Sequence, residues 1–303
     1  RHQTATLHCI AGTGQVHSLG GKEAPAALQQ GETPVFSSPD VSSLAALLPG
    51  VSLRRIPRYA RMALLAAVQA LDEAGWRQKE VLHNTALVFG TAYSSSQMSM
   101  DFMDSILDNG PHLSSPTAFS HAVNNMGAGL LSLLLGIEGA CFTISQFELS
   151  FAGAASTASA LLNSGRAERV LLCAVDESDN RFFHCCPQYL HGEHPQTEGA
   201  VALCLTRQTA EANVPLLQVR WGQQAEFDGP VFASGAASGS ASEAAFGLNW
   251  INNEPLYGHG PLAQALDVML ALNTVQTARA NVVNCVCAAA ASGRQALIEV
   301  RGA

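Results

Sequence analysis

Gly136-Ile-Glu-Gly-Ala-Cys-Phe-Thr-Ile-Ser-Gln-Phe-Glu-Leu-Ser-Phe-Ala-Gly153 is the stretch on which the fold turns. It opens as a short apolar run with β-branched residues, Phe142-Thr-Ile144, and then crosses a polar turn. From Phe151 it continues as a small-residue helix, Ala152 to Leu162, that stops near Asn163-Ser-Gly165. Strand, tight turn and helix start are the components of a nucleophile elbow, which exposes one side chain beside a helix N-terminus whose dipole favours negative charge. A catalytic elbow carries Ser or Cys at its tip. The tip here is Ser145-Gln-Phe-Glu-Leu-Ser150, without a cysteine.

Outward from this turn, strands and helices alternate, which argues for α/β layers. Residues 5–11 read as an opening core strand that ends before Gly12-Thr-Gly14, and no Gly-Lys-Ser/Thr follows to make a phosphate loop. A helix is predicted over 57–75, with Met62, Leu65, Val68 and Leu71 on its apolar stripe and Gly75 as its stop. Thr85-Ala-Leu-Val-Phe89, 169–175 and 198–206 read as buried strands, 94–108 as helical, and 109–116 and 178–197 as loops. Residues 214–222 form a strand linking two halves, and Ser234 to Ser242 is low-complexity. A helix over 261–279, apolar along Leu262, Ala265, Leu266, Met269, Leu270 and Leu272, precedes closing strands at 281–287 and 296–300. The halves divide as 1–211 and 212–303.

Of 303 residues, 48% are apolar and only 13% charged, so much of the surface is expected to be covered by another chain. The net charge of −8 and the scarcity of Lys/Arg clusters argue against nucleic acid as a partner. Arg54, Arg55, Arg58 and Arg61 share a helix face, either as a solvated helix start or as a docking patch for an acidic protein. Cys9, Cys173 and Cys204 lie in apolar runs, where a reduced thiol packs as a small hydrophobe. His184, His191 and His194 adjoin Cys185 and Cys186 without metal-ligand spacing, and Cys285-Val-Cys287 lacks it too, so neither metal nor cofactor is expected. The opening Arg-His-Gln has no apolar signal segment and no run reaches the ~18 apolar residues of a membrane span, which points to a reduced, cytoplasmic protein.

The stretch resembles the β-ketoacyl synthase branch of the thiolase superfamily, whose members place Gly-Leu-x-Gly-Pro before a strand and Thr-Ala-Cys-Ser-Ser at the elbow. Setting Gly136-Ile-Glu-Gly139 on the first motif puts Glu148 at the family's cysteine nucleophile. Arg54 to Trp76 is similar to the family's first long helix, Leu87-Val-Phe-Gly-Thr91 to the next strand, and Ser115 to Gly129 to the loop and helix before the elbow. Arg169 to Ala174 and Glu198 to Cys204 resemble the following core strands. The resemblance implies a thiolase-like α/β fold of two related halves, each a mixed sheet layered with helices, the second half shortened.

It also implies what is missing. Condensation needs the elbow thiolate and two histidines, one in His-Gly-Thr and one in Lys-x-x-x-Gly-His. Here Glu148 replaces the cysteine, no His-Gly-Thr occurs, and Glu254-Pro-Leu-Tyr-Gly-His259 matches the third motif with its lysine reversed to Glu254. Asn284-Cys-Val-Cys-Ala-Ala-Ala-Ala291 replaces the family's glycine-rich gating turn. No catalytic residue is therefore expected; His259 reads as a relic, hydrogen-bonded to Glu148 or to Glu254. The chain is most similar to chain-length factors, and among them to the ketosynthase partner of bacterial aryl polyene pathways. The resemblance implies a heterodimer with an active synthase, contact with acyl carrier protein through that complex, and a share in the acyl tunnel. Thr117, Ala118 and Phe119, in the segment expected to cross the dimer, are the candidates for limiting tunnel length, so enlarging Ala118 to Phe is expected to shorten the product. A malonyl-carrier decarboxylase and an acyl-carrier-binding module are the alternatives.

Overall fold

The run Val170-Leu-Leu-Cys-Ala-Val175 is apolar at every position because both faces of its strand are covered. Val170, Leu172 and Ala174 pack in one core, and Leu171, Cys173 and Val175 in another. The structure, a computed structural model, describes residues 6–20, 30–31, 35–186, 196–207, 214–222, 226–234, 250–289 and 292–303. The strands are β1 (His8–His17), β2 (Thr85–Gly90), β3 (Cys141–Ile144), β4 (Arg169–Asp176), β5 (Gly199–Arg207), β6 (Leu216–Trp221), β7 (Val231–Phe232), β8 (Trp250–Ile251), β9 (Val282–Ala288) and β10 (Gln295–Arg301). They form one sheet in the order β3-β2-β4-β5-β1-β6-β10-β9-β7-β8.

The pairing pattern is symmetric about the middle of that order. β3, β2 and β4 are parallel, and β5 and β1 follow antiparallel. Across the short β1–β6 seam, β6, β10 and β9 are antiparallel to one another, and β9, β7 and β8 are parallel. Two related five-stranded halves are thus joined edge to edge, as the family resemblance implies. The boundary placed at 211/212 lies outside the described residues, as do His191, His194 and most of the Ser234–Ser242 segment.

The helices are α1 (Leu44–Leu47), α2 (Arg58–Ala74), α3 (Lys79–His83), α4 (Ser96–Asn109), α5 (Pro116–Ala122), α6 (Met126–Leu135), α7 (Ser150–Asn163), α8 (Asn180–Cys185), α9 (Glu254–Tyr257) and α10 (Leu262–Gln276). α7 and α10 share the inner core, and α2 and α6 cover the other face of the first half. Among the described residues, the second half's outer face carries a small cluster around Val286 and Leu297. α10 is buried on nearly all sides, Gln264 and Asp267 included, instead of along the one apolar side its sequence suggests.

Two boundaries differ from the sequence reading for a physical reason. β1 continues through Gly12 and Gly14 because α2 lies directly on it: a Cβ on Gly14 would come within 1.9 Å of the Ala66 carbonyl oxygen. There glycine serves close approach of backbone to helix and does not end the strand. Within the loop expected over 178–197, residues 180–185 are helical, capped by the Asp179 carboxylate, which accepts from the Arg181 and Phe182 amides. The four arginines do not share one helix face, because Arg54 and Arg55 lie exposed on a separate 3-10 turn (Leu53–Arg55) before α2. Arg58 makes a two-pronged ion pair with Glu198, and Arg61 donates to the Ile56 and Leu53 carbonyls.

Candidate functional site

The elbow forms. β3 ends at Ile144, residues 147–149 make a single 3-10 turn, and α7 begins at Ser150. Ser150 holds the turn closed: its Oγ accepts from the Gln146 amide at 2.9 Å and donates to the Phe147 carbonyl at 2.7 Å. The Gln146 side chain lies over the first turn of α7, where a Cβ on Gly153 would sit 2.7 Å from its Oε1. Phe147 has φ of 47°, in the left-handed region that costs a non-glycine residue about 1 kcal/mol or more. That strain sits one residue before Glu148, and the Phe147 ring is half exposed. The Glu148 carboxylate is partly buried, next to the N-terminus of α7, where the helix dipole tolerates its charge.

The second element comes from the other half. Gly258 takes positive φ after α9 and delivers His259. The imidazole Nδ1 meets the Glu254 carboxylate, and both side chains are mostly buried. Of the two carboxylates considered for it, Glu254 is the one that reaches the ring. The backbone is pinned as well: the Thr197 amide donates to the His259 carbonyl at 2.7 Å, and the Thr197 hydroxyl to the Tyr257 carbonyl. Beneath this turn Asp267 accepts from Asn253 Nδ2 at 2.7 Å, from Ser234 Oγ at 3.1 Å and from the Tyr257 hydroxyl. Burial pushes the Asp267 carboxyl up to about 7. The elbow's 3-10 turn packs on β9, and α7 packs on α10, the helix that follows the Gly-His turn.

A third polar cluster, unread in the sequence, anchors the β2–α4 connection. Asp176 accepts from Thr91 Oγ1 and from the Ala92 and Tyr93 amides, and Glu177 accepts from the Gln97 amide at 2.8 Å. Burial raises both carboxyls to about 7. The available signal was two acids closing an otherwise apolar run, Asp176-Glu177.

Of the tunnel candidates, Thr117 is exposed, Phe119 is 56% exposed, and Ala118 between them is only 8% exposed. The amide of Ala118 is capped by Ser115 Oγ. Among the described residues β3 is the outermost strand of the first half. β3 has Cys141 and Phe142 exposed, and Met103, Leu107, Leu113, Phe119, Val123 and Leu133 add exposed apolar area from α4, α6 and the segments between them. All eight cysteines are free, and no group of three or more His, Cys, Asp or Glu among the described residues is arranged to hold a metal ion. No helix among the described residues is long and apolar enough to cross a membrane.

A family model for the N-terminal domain of β-ketoacyl synthases matches residues 3–249. The chain belongs to the β-ketoacyl synthase family. Solved structures share its fold at low identity. One is described as AntDE:AntF, a type II PKS acyl-carrier protein in complex with its ketosynthase bound to the hexaketide: TM-score 0.79, 16% identity, 99% of this chain and 100% of that one. The ishigamide ketosynthase/chain length factor follows at TM-score 0.76, 17% identity and 98% and 99% coverage. The ketosynthase ApeO in complex with its chain length factor ApeC, from Xenorhabdus doucetiae, has TM-score 0.61, 14% identity and 96% and 98% coverage. No curated protein sequence matches. The elbow and the Gly-His turn are both built: Glu148 lies on the 3-10 turn of the first, and His259, bound by Glu254, closes the second.

Proposed function

We propose that this chain is a non-catalytic, chain-length-factor-like subunit that pairs with an active β-ketoacyl-ACP synthase in the cytoplasm and helps shape the acyl tunnel of a polyketide-type, aryl-polyene-like elongation system. The observation that carries this reading is Glu148 at the tip of an intact elbow. A carboxylate there is a poor acyl acceptor and repels an acidic malonyl group, while its charge is stable beside a helix N-terminus. The reversed charge at Glu254, bound to His259, argues the same way, because that position in the family presents lysine.

Pairing with a second subunit is supported by the β3 edge. Among the described residues β3 has no strand on its outer side, and an edge flanked by Phe142 and Leu133 is a surface that soluble monomers blunt or cover. The synthase partner would supply the thiolate and both histidines, and acyl carrier protein would reach this chain through the complex. Co-expression with a candidate β-ketoacyl-ACP synthase partner, followed by size-exclusion chromatography and intact mass spectrometry, tests the reading. A one-to-one complex with acyl groups only on the partner is expected. An acyl adduct on this chain, or elongation that survives loss of the partner's thiol, would overturn it.

The imidazole of His259, kept on its Gly-His turn, is the one observation that favours a second reading, a malonyl-carrier decarboxylase. Carbon dioxide release from malonyl-ACP by the purified chain alone would establish that activity.

A further inference from the structure

Phe119 is a large aromatic ring more than half exposed on a seven-residue helix, yet it is not loose. Its ring packs against Phe102 of α4, with centroids 5.3 Å apart and planes at 51°. The two backbones are tied at the same place. Ser105 Oγ donates to the Phe102 carbonyl at 2.7 Å and accepts from the Ser115 amide at 3.0 Å. Ser115 in turn accepts from the Ala118 amide at 3.1 Å through its Oγ, and its carbonyl takes the Phe119 amide at 3.0 Å. One hydroxyl therefore links the turn that carries Phe102 to the cap of the helix that carries Phe119.

α4 is itself held by ion pairs as well. Arg181, on α8, donates to Asp101 Oδ1 at 2.8 Å and to Asp104 Oδ2 at 2.9 Å. These aspartates flank Phe102 in sequence, so the ring lies on a segment fixed by ion pairs as well as by its helix. An exposed aromatic side chain ordinarily samples several rotamers. Here one face of it is already occupied before any partner arrives, and that preorganisation sets where the ring stands when a tunnel wall forms around it.

We propose that Phe102 is a positioning residue that acts through Phe119, so that the product length set by this subunit is a property of the Phe102–Phe119 pair and not of Phe119 alone. The inference rests on the tunnel-shaping reading above. Phe102 need not touch the acyl chain; removing its ring frees Phe119 to turn, which widens or moves the constriction.

The experiment is a double-mutant cycle read on product distribution, in the complex formed by co-expression with the active synthase. Phe119→Ala, Phe102→Ala, Phe102→Leu and Phe119→Ala/Phe102→Ala are compared, with Phe102→Tyr as the ring-retaining control and chromatography confirming assembly. Phe102→Leu keeps most of the volume, so the ring is tested even where Phe102→Ala assembles poorly. Phe102→Leu and Phe102→Ala are expected to change the ratio of the main product to its longer homologue by about three- to tenfold, in the direction given by Phe119→Ala. Phe102→Tyr restores the original ratio, and Phe102→Ala adds nothing in the Phe119→Ala background. A shift with Phe119→Ala but none with either Phe102 variant overturns the inference and leaves the tunnel reading standing. Additive effects in the double variant overturn it as well, because Phe102 would then act independently. No shift with any variant in an assembled complex removes the tunnel reading and this inference together.

Discussion

His259 Nδ1 is bound by the carboxylate of Glu254, five residues earlier, and the two side chains lie mostly out of solvent. Breaking the pair removes a hydrogen bond between two mostly buried side chains. Glu254→Ala is expected to lower unfolding stability by about 1–3 kcal/mol, and Glu254→Gln, which keeps a hydrogen-bonding group, by less. Urea denaturation midpoints of the two variants check this; equal losses would show that the pairing itself contributes nothing.

Stability should depend on pH through the buried acids. Asp176, Glu177 and Asp267 are raised to about 7 by burial. Their folded values lie above the unfolded ones, so the native state holds protons that the unfolded chain has released. Their stabilising share is complete below the ordinary carboxylate range and is lost as pH rises to about 7. His17, held down to about 4 by burial, and His8, also lowered, oppose this below 6.5, where the unfolded histidines take up protons. Above that value the histidine contribution fades and the three carboxyls dominate. The urea midpoint is therefore expected to fall between about pH 6.5 and about pH 8, with a shallower fall in Asp267→Asn. A midpoint that rises over this interval would contradict the assignment.

The strain at the elbow has a simple test. Phe147→Gly removes the left-handed penalty and Phe147→Ala does not, while both lose the ring. The glycine variant is expected to be the more stable of the two by about 1 kcal/mol. Equal thermal midpoints would mean that the 47° φ carries no cost.

Restoring the missing sulfur should not restore chemistry. Glu148→Cys, in complex with a synthase whose own thiol has been replaced, is expected to show no elongation, because Glu254 still occupies the position of the family's lysine and His-Gly-Thr is absent. Radiolabelled malonyl incorporation into product is the measurement, and turnover above background would place the missing basic groups elsewhere in this chain.

A tunnel test through Ala118 mixes two effects. At 8% exposure, a phenylalanine there would overpack its own helix bundle as well as narrow anything beyond it. Exposed Phe119 separates the two. The spacing of Ser115, Thr117 and Phe119 is legible in the sequence, but which of three adjacent side chains faces outward depends on how α5 is rotated against α4.

By itself the sequence determined the elbow and the order of strands and helices, and it raised the expectation that Glu148 and Glu254 stand at the family's cysteine and lysine positions. Each of these is local: it rests on periodicity, on spacing within about twenty residues, or on the identity of one residue at a motif position. Only the tertiary structure decided that β1 runs on through Gly12 and Gly14, that Phe147 carries the strain, that Glu254 and not Glu148 takes His259, and that Asp176 and Asp267 are buried acids. Those outcomes depend on which backbone lies against which. The helix that needs the space over Gly14 is some fifty residues away, and the amides that hold Asp176 are more than eighty. Contacts at such separations come from folding the whole chain and leave no periodic trace in any one segment.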